Sequence, residues 1–279
     1  GIMVINFTIV QFAPGGPVEQ VIADLECDLV GLSCFTANRR GVRLVAERGR
    51  LMQEAVPEGQ GAMAAILGLS DEDVRTVCAA AAQGDVVEPV NFNSPGQVVI
   101  AGAKAAVDRA IDEAKAQGAK RALLLPVSVP SHCSLMVPAA EKLALDLSAI
   151  AIGEAVFPVL HNVNVAEATD AAEVRDLLAR QLHNPVRWVE TIEALPARGV
   201  ELVIEAGPGK VLAGLGKRIN KELTTLPITD PAGLDAALED HRRRFAELRE
   251  QLLQVRDWAP VTRSGDVAEF DLPEDAPVW

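Results

Sequence analysis

His132 follows an apolar run, Leu123–Val129, that reads as a buried strand and stops at Pro130, which has no N–H to extend a ladder. A histidine just past a strand end is placed where α/β proteins hold reacting groups, and its neutral imidazole can take a proton near pH 7. It could equally be a loop histidine bonded to backbone. The second such residue is Arg48. On a helix over Val42–Ala55, Leu44, Val45, Leu51, Met52 and Ala55 share one face, and Arg48 falls inside that apolar arc. An arginine pointing inward must be paired with a carboxylate of the protein or left facing a cleft, where its planar fork suits a ligand carboxylate. A third feature is basic. Lys210, Lys217, Arg218 and Lys221 form a local patch in a chain of net charge −13. Such a patch is either a solvated helix end or a dock for an acidic partner or phosphate. The neighbouring Gly207-Pro-Gly-Lys210 lacks the spacing of a phosphate loop.

Alternating strand and helix patterns position these residues. Val4–Phe12 reads as a strand, Val18–Leu25 as a short helix and Leu29–Phe35 as a second buried strand. Residues 61–125 then run strand (61–67), helix opened by Ser70-Asp-Glu-Asp73, strand (86–90), strand (97–102), helix (104–117) and strand (120–125). This β-α-β-β-α-β order is that of ferredoxin-like modules, and Asn91–Gly96 reads as the connection between its middle strands. Downstream come a helix over 138–148, a strand over 157–163, a helix over 171–182, a helix begun by Pro185, a strand over 199–205 and a helix from Gly207 to Lys221. The implied architecture is α/β with a largely parallel sheet. Four divisions are expected: an N-terminal segment, 1–40; a large α/β subdomain, 41–60 and 126–230; a ferredoxin-like small subdomain, 61–125; and a helical and acidic tail, 231–279.

Composition narrows the function classes. The acidic balance and an aromatic content of 4% exclude a general nucleic-acid binder. Cys27, Cys34, Cys78 and Cys133 form no CxxC pair, so reduced thiols are expected, with neither a disulfide frame nor a metal site. No stretch is apolar enough to span a bilayer, and the first residues show no basic region followed by an apolar run; the cytoplasm is the expected location.

From Val42 to Leu238 the chain resembles the malonyl-CoA:acyl-carrier-protein transacylases of fatty-acid biosynthesis. The likeness is carried, in family order, by ERGRLMQEAVP, GAMAAILGL, NFNSPGQVVIAG, LLPVSVPSHCSLMVPAAEKL, RQLHNPVRWVETIE and EAGPGKVLAGLGKRI. It implies an α/β-hydrolase-like large subdomain with an inserted ferredoxin-like (βαββαβ) one, and a site between them. It implies an acyltransferase that passes malonyl from coenzyme A to a seryl ester and on to the phosphopantetheine thiol of acyl carrier protein, as a monomer without a cofactor. In that resemblance His132 is the catalytic base and Gln181 supplies the carbonyl that orients it. Arg48 pairs with the malonyl carboxylate. Asn91 and Asn93 face the cleft, and Lys217 and Arg218 meet the carrier protein. The family's PGQGSQ loop and GHSLG nucleophile elbow do not occur in the sequence. The nearest counterpart to the elbow, Gly31-Leu-Ser-Cys-Phe35, follows an expected strand and makes Ser33 the candidate nucleophile. A chain without a working elbow would instead be a chimera or a non-catalytic module that binds malonyl groups or carrier protein.

Overall fold

The computed structural model describes residues 2–6, 39–127, 129–153, 158–206 and 209–228, together with residues 233, 239, 242 and 243. Two units are distinguished, Gly1–Thr229 and Asp230–Trp279; everything below concerns the first. The expected helix at 18–25 and strand at 29–35, with Ser33, lie outside the described residues, as does most of 231–279.

Strand β1 (Ile2–Asn6) is followed, in the described chain, by helix α1 (Arg39–Ala55). Next comes the four-stranded module: β2 (Gly61–Leu67), α2 (Asp71–Ala82), β3 (Val87–Ser94), β4 (Gln97–Ala103), α3 (Lys104–Ala116) and β5 (Arg121–Leu124). Its sheet has the order β3-β4-β2-β5 with every pair antiparallel. Local chemistry explains the boundaries. Ser70 caps α2 by accepting from Asp73 N at 3.1 Å, and Asp73 Oδ2 returns to Ser70 N at 3.3 Å, so two orphan donors are satisfied at once. The inner faces of both helices are small and apolar: Val74, Val77, Cys78 and Ala81 on α2, and Ala106, Val107, Ala110 and Ala114 on α3. They pack on Ala62, Ala64, Ile66, Val98 and Ile100 of the sheet. The other face of the sheet presents Met63, Val90, Val99 and Ala101 to Cys133, beside His132.

The remainder contains α4 (Val137–Ser148), β6 (Leu160–His161), β7 (Ala166–Glu167), α5 (Ala171–Arg180), α6 (Trp188–Ala194), β8 (Leu202–Ala206), α7 (Val211–Ile219) and β9 (Thr224–Ile228). Strands β1, β8 and β9 form a parallel sheet with β8 central. Leu51 and Met52 of α1 pack with Leu143 and Leu147 of α4, Ala179 of α5 and the neighbouring Leu182 in a second core. No helix among the described residues is long and apolar enough to cross a membrane.

Four local expectations are corrected. The run Leu123–Val129 is not one buried strand. Pairing ends at Leu124 on the sheet edge, and Leu123 and Leu124 are 52% and 49% exposed. Asn91 and Asn93 do not sit in a connecting loop. They belong to β3, which runs on to Ser94, and the turn tightens to Pro95-Gly96, with Gly96 at φ +72°. Residues 158–163 hold only the two-residue strand β6, paired with β7. Pro185 does not open a helix. Val186 N donates to Val90 O at 2.8 Å and Val186 O accepts from Phe92 N at 3.1 Å, so this segment is drawn out as an extra partner of β3, and α6 begins only at Trp188.

Candidate active site

His132 lies on a loop between β5 and α4, in the left-handed region at φ +68°. For a residue with a Cβ this conformation costs about 1–3 kcal/mol and persists where surrounding bonds over-determine it. Those bonds are present. His132 N donates to Leu182 O at 2.9 Å, and His132 Nδ1 lies 2.7 Å from Gln181 O. A carbonyl only accepts, so Nδ1 carries the proton and Nε2 keeps its lone pair. Gln181 is therefore placed beside the imidazole through its main chain. Its side chain points elsewhere, donating from Nε2 to Asn162 Oδ1 at 3.0 Å.

Arg48 is buried on α1, 9% exposed, and its Nε has no hydrogen-bond partner. Among the described residues no carboxylate forms an ion pair with it. Burial pushes the guanidinium down to about 10. Arg48 is close enough to act on the histidine. Burial first, and the Arg48 charge second, push His132 down to about 4, against the opposing pull of backbone contacts to Gln181 and Asn184. The imidazole is thus neutral across the physiological range.

Of the sequence candidates, His132, Gln181 and Arg48 come together. Asn91 pairs in register with Val99, whose side chain packs with Cys133, and so occupies a position on the face of the sheet toward the histidine loop. Asn93 sits at the second irregularity of β3, between Phe92 and Ser94. Lys217 and Arg218 are exposed on the last turn of α7, and Arg218 Nη1 donates to Gln97 Oε1 at 3.0 Å. Lys210 and Lys221 are exposed at either end of that helix. Pattern reading missed Glu88, whose carboxylate binds Ser134, and Asn162, which receives the Gln181 amide. Neither stands in a motif, and both contacts join positions far apart in the chain. Among the described residues no group of three or more histidine, cysteine or acidic side chains is arranged to hold a metal.

The family model for the acyl transferase domain matches residues 33–250. The chain belongs to the acyl transferase family. This acyl transferase domain is 59% identical over 197 residues to a malonyl CoA-acyl carrier protein transacylase of Salmonella typhimurium, covering 71% of the chain and 64% of the relative. It is 46% identical over 199 residues to the protein of the same name from Bacillus subtilis, covering 71% and 63%. The chain thus spans a little under two thirds of the length of these curated relatives. Among solved structures, a malonyl-transacylase in complex with a type II PKS acyl-carrier protein aligns with a TM-score of 0.71 at 56% identity, over 72% of this chain and 65% of that one. An acyl carrier protein S-malonyltransferase from Vibrio cholerae aligns at 0.70 and 57% identity, over 71% and 65%. The mixed α/β fold of the acyl transferase domain is that of these enzymes.

Proposed function

We propose that the chain transfers a malonyl group from coenzyme A to acyl carrier protein through a seryl ester. The observation that carries this reading is Arg48. A cation buried within reach of the histidine, with Nε unpaired and no ion-pair partner among the described residues, has an unmet demand for an anion. A malonyl thioester brings a carboxylate beside the carbonyl that reacts, and an acetyl thioester does not.

In the proposed reaction Ser33 Oγ attacks the thioester carbonyl while His132 Nε2 takes its proton. Collapse of the tetrahedral intermediate breaks the C–S bond, and the proton passes from His132 to the departing thiolate. The ester then meets the phosphopantetheine thiol, which gives its proton to His132, attacks the carbonyl and releases Ser33, reprotonated by the same imidazole. Main-chain N–H groups receive the oxyanion in each half. The Gln181 carbonyl fixes the tautomer, Arg48 holds the carboxylate, and Asn91 and Asn93 line the cleft from β3. Lys217 and Arg218, in the basic patch, receive the acidic carrier protein. No cofactor is needed, and the chain acts as a cytoplasmic monomer in fatty-acid biosynthesis. We also divide the protein at 1–40, 41–60 with 126–230, 61–125 and 231–279, which puts the site between the large and small subdomains.

Incubation with malonyl-CoA followed by intact mass spectrometry tests the reading. A malonyl adduct that maps to Ser33 and is discharged by acyl carrier protein is the expected result. Binding of malonyl-CoA with no adduct would overturn it.

A further inference from the structure

The loop that carries His132 is held from two directions. On one side are the carbonyls of Gln181 and Leu182. On the other is Glu88 of β3, which grips Ser134 with both carboxylate oxygens. Oε2 accepts from the Ser134 main-chain N at 2.9 Å, and Oε1 accepts from its hydroxyl at 2.6 Å. The two holds share an anchor, because Val186, just past Gln181 and Leu182, is bonded to Val90 and Phe92 of the same strand. The connection closes on itself: β3 to Val186, back along the chain to Gln181, across to His132, on to Ser134, and through Glu88 to β3. The first grip is on the left-handed residue itself, and between the two grips lies Cys133, fully buried, its thiol donating to Pro130 O at 3.1 Å.

We propose that Glu88 is a positioning residue for the transfer reaction: its double hydrogen bond to Ser134 holds the histidine loop against β3 and keeps the His132 ring in register with the Gln181 carbonyl. The inference rests on reading His132 as the base. Glu88 acts through its bonds and not through its charge. The groups whose protonation it biases are Cys78, Cys133 and His183, while His132 responds to burial and to Arg48. This distinction sets the choice of variants. Glu88→Gln keeps both contacts, since its carbonyl can accept from the Ser134 N–H and its amide can donate to the hydroxyl oxygen. Glu88→Ala removes both.

Two measurements on the full chain test the proposal. Nitrogen-15 spectra of labelled histidine, with the His132 signals assigned by their loss in His132→Gln, report the ring tautomer whether or not the chain turns over. In Glu88→Ala the His132 ring should lose its single tautomer and become a mixture, and Glu88→Gln should restore it. Ser134→Ala, which deletes only the hydroxyl contact, should shift the same signals in the same direction by less. In turnover assays Glu88→Ala should lower kcat on the order of tenfold, with KM for malonyl-CoA unchanged and recovery in Glu88→Gln. Unmoved His132 signals in both Glu88→Ala and Ser134→Ala would overturn the proposal. So would a Glu88→Gln variant as impaired as the alanine, since that would make the charge the active quantity. If Glu88→Ala does not fold, Ser134→Ala and Glu88→Gln decide the matter alone. Failure of the transacylase reading shows separately, as an unmodified wild-type chain after malonyl-CoA.

Discussion

His132 Nδ1 lies 2.7 Å from the main-chain carbonyl oxygen of Gln181, the position a carboxylate takes in a serine-histidine-aspartate triad. A carbonyl fixes the same tautomer but brings no negative charge. It therefore orients the ring without much stabilising an imidazolium, which fits a histidine pushed down to about 4. Orientation here is a property of the backbone, and a side-chain change at this position should leave it in place. Gln181→Ala is expected to keep transfer activity within a few-fold of wild type, while His132→Ala removes nearly all of it. A Gln181→Ala loss as large as that of His132→Ala, measured as the rate of malonyl-enzyme formation, would show that the side-chain bond to Asn162 is what matters.

The depressed histidine makes stability depend on pH. In the unfolded chain His132 binds its proton near 6.5, and in the folded protein only near 4. Between those values the unfolded chain holds more protons, so stability rises with pH across that window. The contribution is complete above pH 6.5 and is lost as pH falls toward 4, amounting to about 3 kcal/mol at most. Urea unfolding at pH 7 and pH 4.5 should therefore show a larger loss for wild type than for His132→Gln. Equal losses would mean that the ring is not held neutral by the fold.

Arg48→Ala separates a clamp from a structural cation. Removing an unpaired buried charge should leave thermal stability unchanged or raise it, because no partner among the described residues is stranded. Malonyl-enzyme formation should fall on the order of a hundredfold, and the acetyl reaction much less, so that the ratio of the two rates collapses. The His132 ring should also titrate closer to its ordinary value once the neighbouring charge is gone. Equal losses with malonyl-CoA and acetyl-CoA would refute the clamp.

Much of this fold is legible where local signals agree. Ser70 with Asp73 marks the start of α2 within one residue, and the period of Leu44, Leu51 and Met52 places Arg48 on the inward face of α1. The errors occur where distant pairing overrides local preference. Val186 is preceded by a proline that reads as a helix opener, yet its backbone groups are claimed by Val90 and Phe92. Asn91 and Asn93 have turn-forming side chains, but the pairing of β3 with β4 holds them in a strand. Leu123 and Leu124 read as core because apolar runs usually are, and the edge of a four-stranded sheet leaves them exposed. At the site, the inward arginine and the histidine after a strand could be picked out from residue type and spacing. The Gln181 contact is legible only through the family resemblance, because it is made by a carbonyl that every residue possesses.

Gly102 offers a test of how the small module is built. A Cβ at this position would stand 2.0 Å from Val86 O and 2.7 Å from the Val87 Cα, both main-chain atoms just before and within β3. The same Val86 oxygen accepts from Ala103 N at 2.8 Å, so retreat of the chain would break a bond that ties the start of edge strand β3 to β4. A methyl group here cannot be accommodated by a side-chain rotation. Gly102→Ala should cost about 3 kcal/mol, at the upper end of overpacking penalties, and should weaken the β3 surface that carries Glu88 and Asn91. Gly214, inside α7, is the control. Among the described residues nothing lies within 4 Å of its added Cβ, and Gly214→Ala should raise stability by roughly 0.5–1 kcal/mol through helix propensity. Urea midpoints measured for the two variants should move in opposite directions. A Gly102→Ala midpoint equal to wild type would mean that β3 and β4 do not approach as closely at Val86 as the backbone geometry requires.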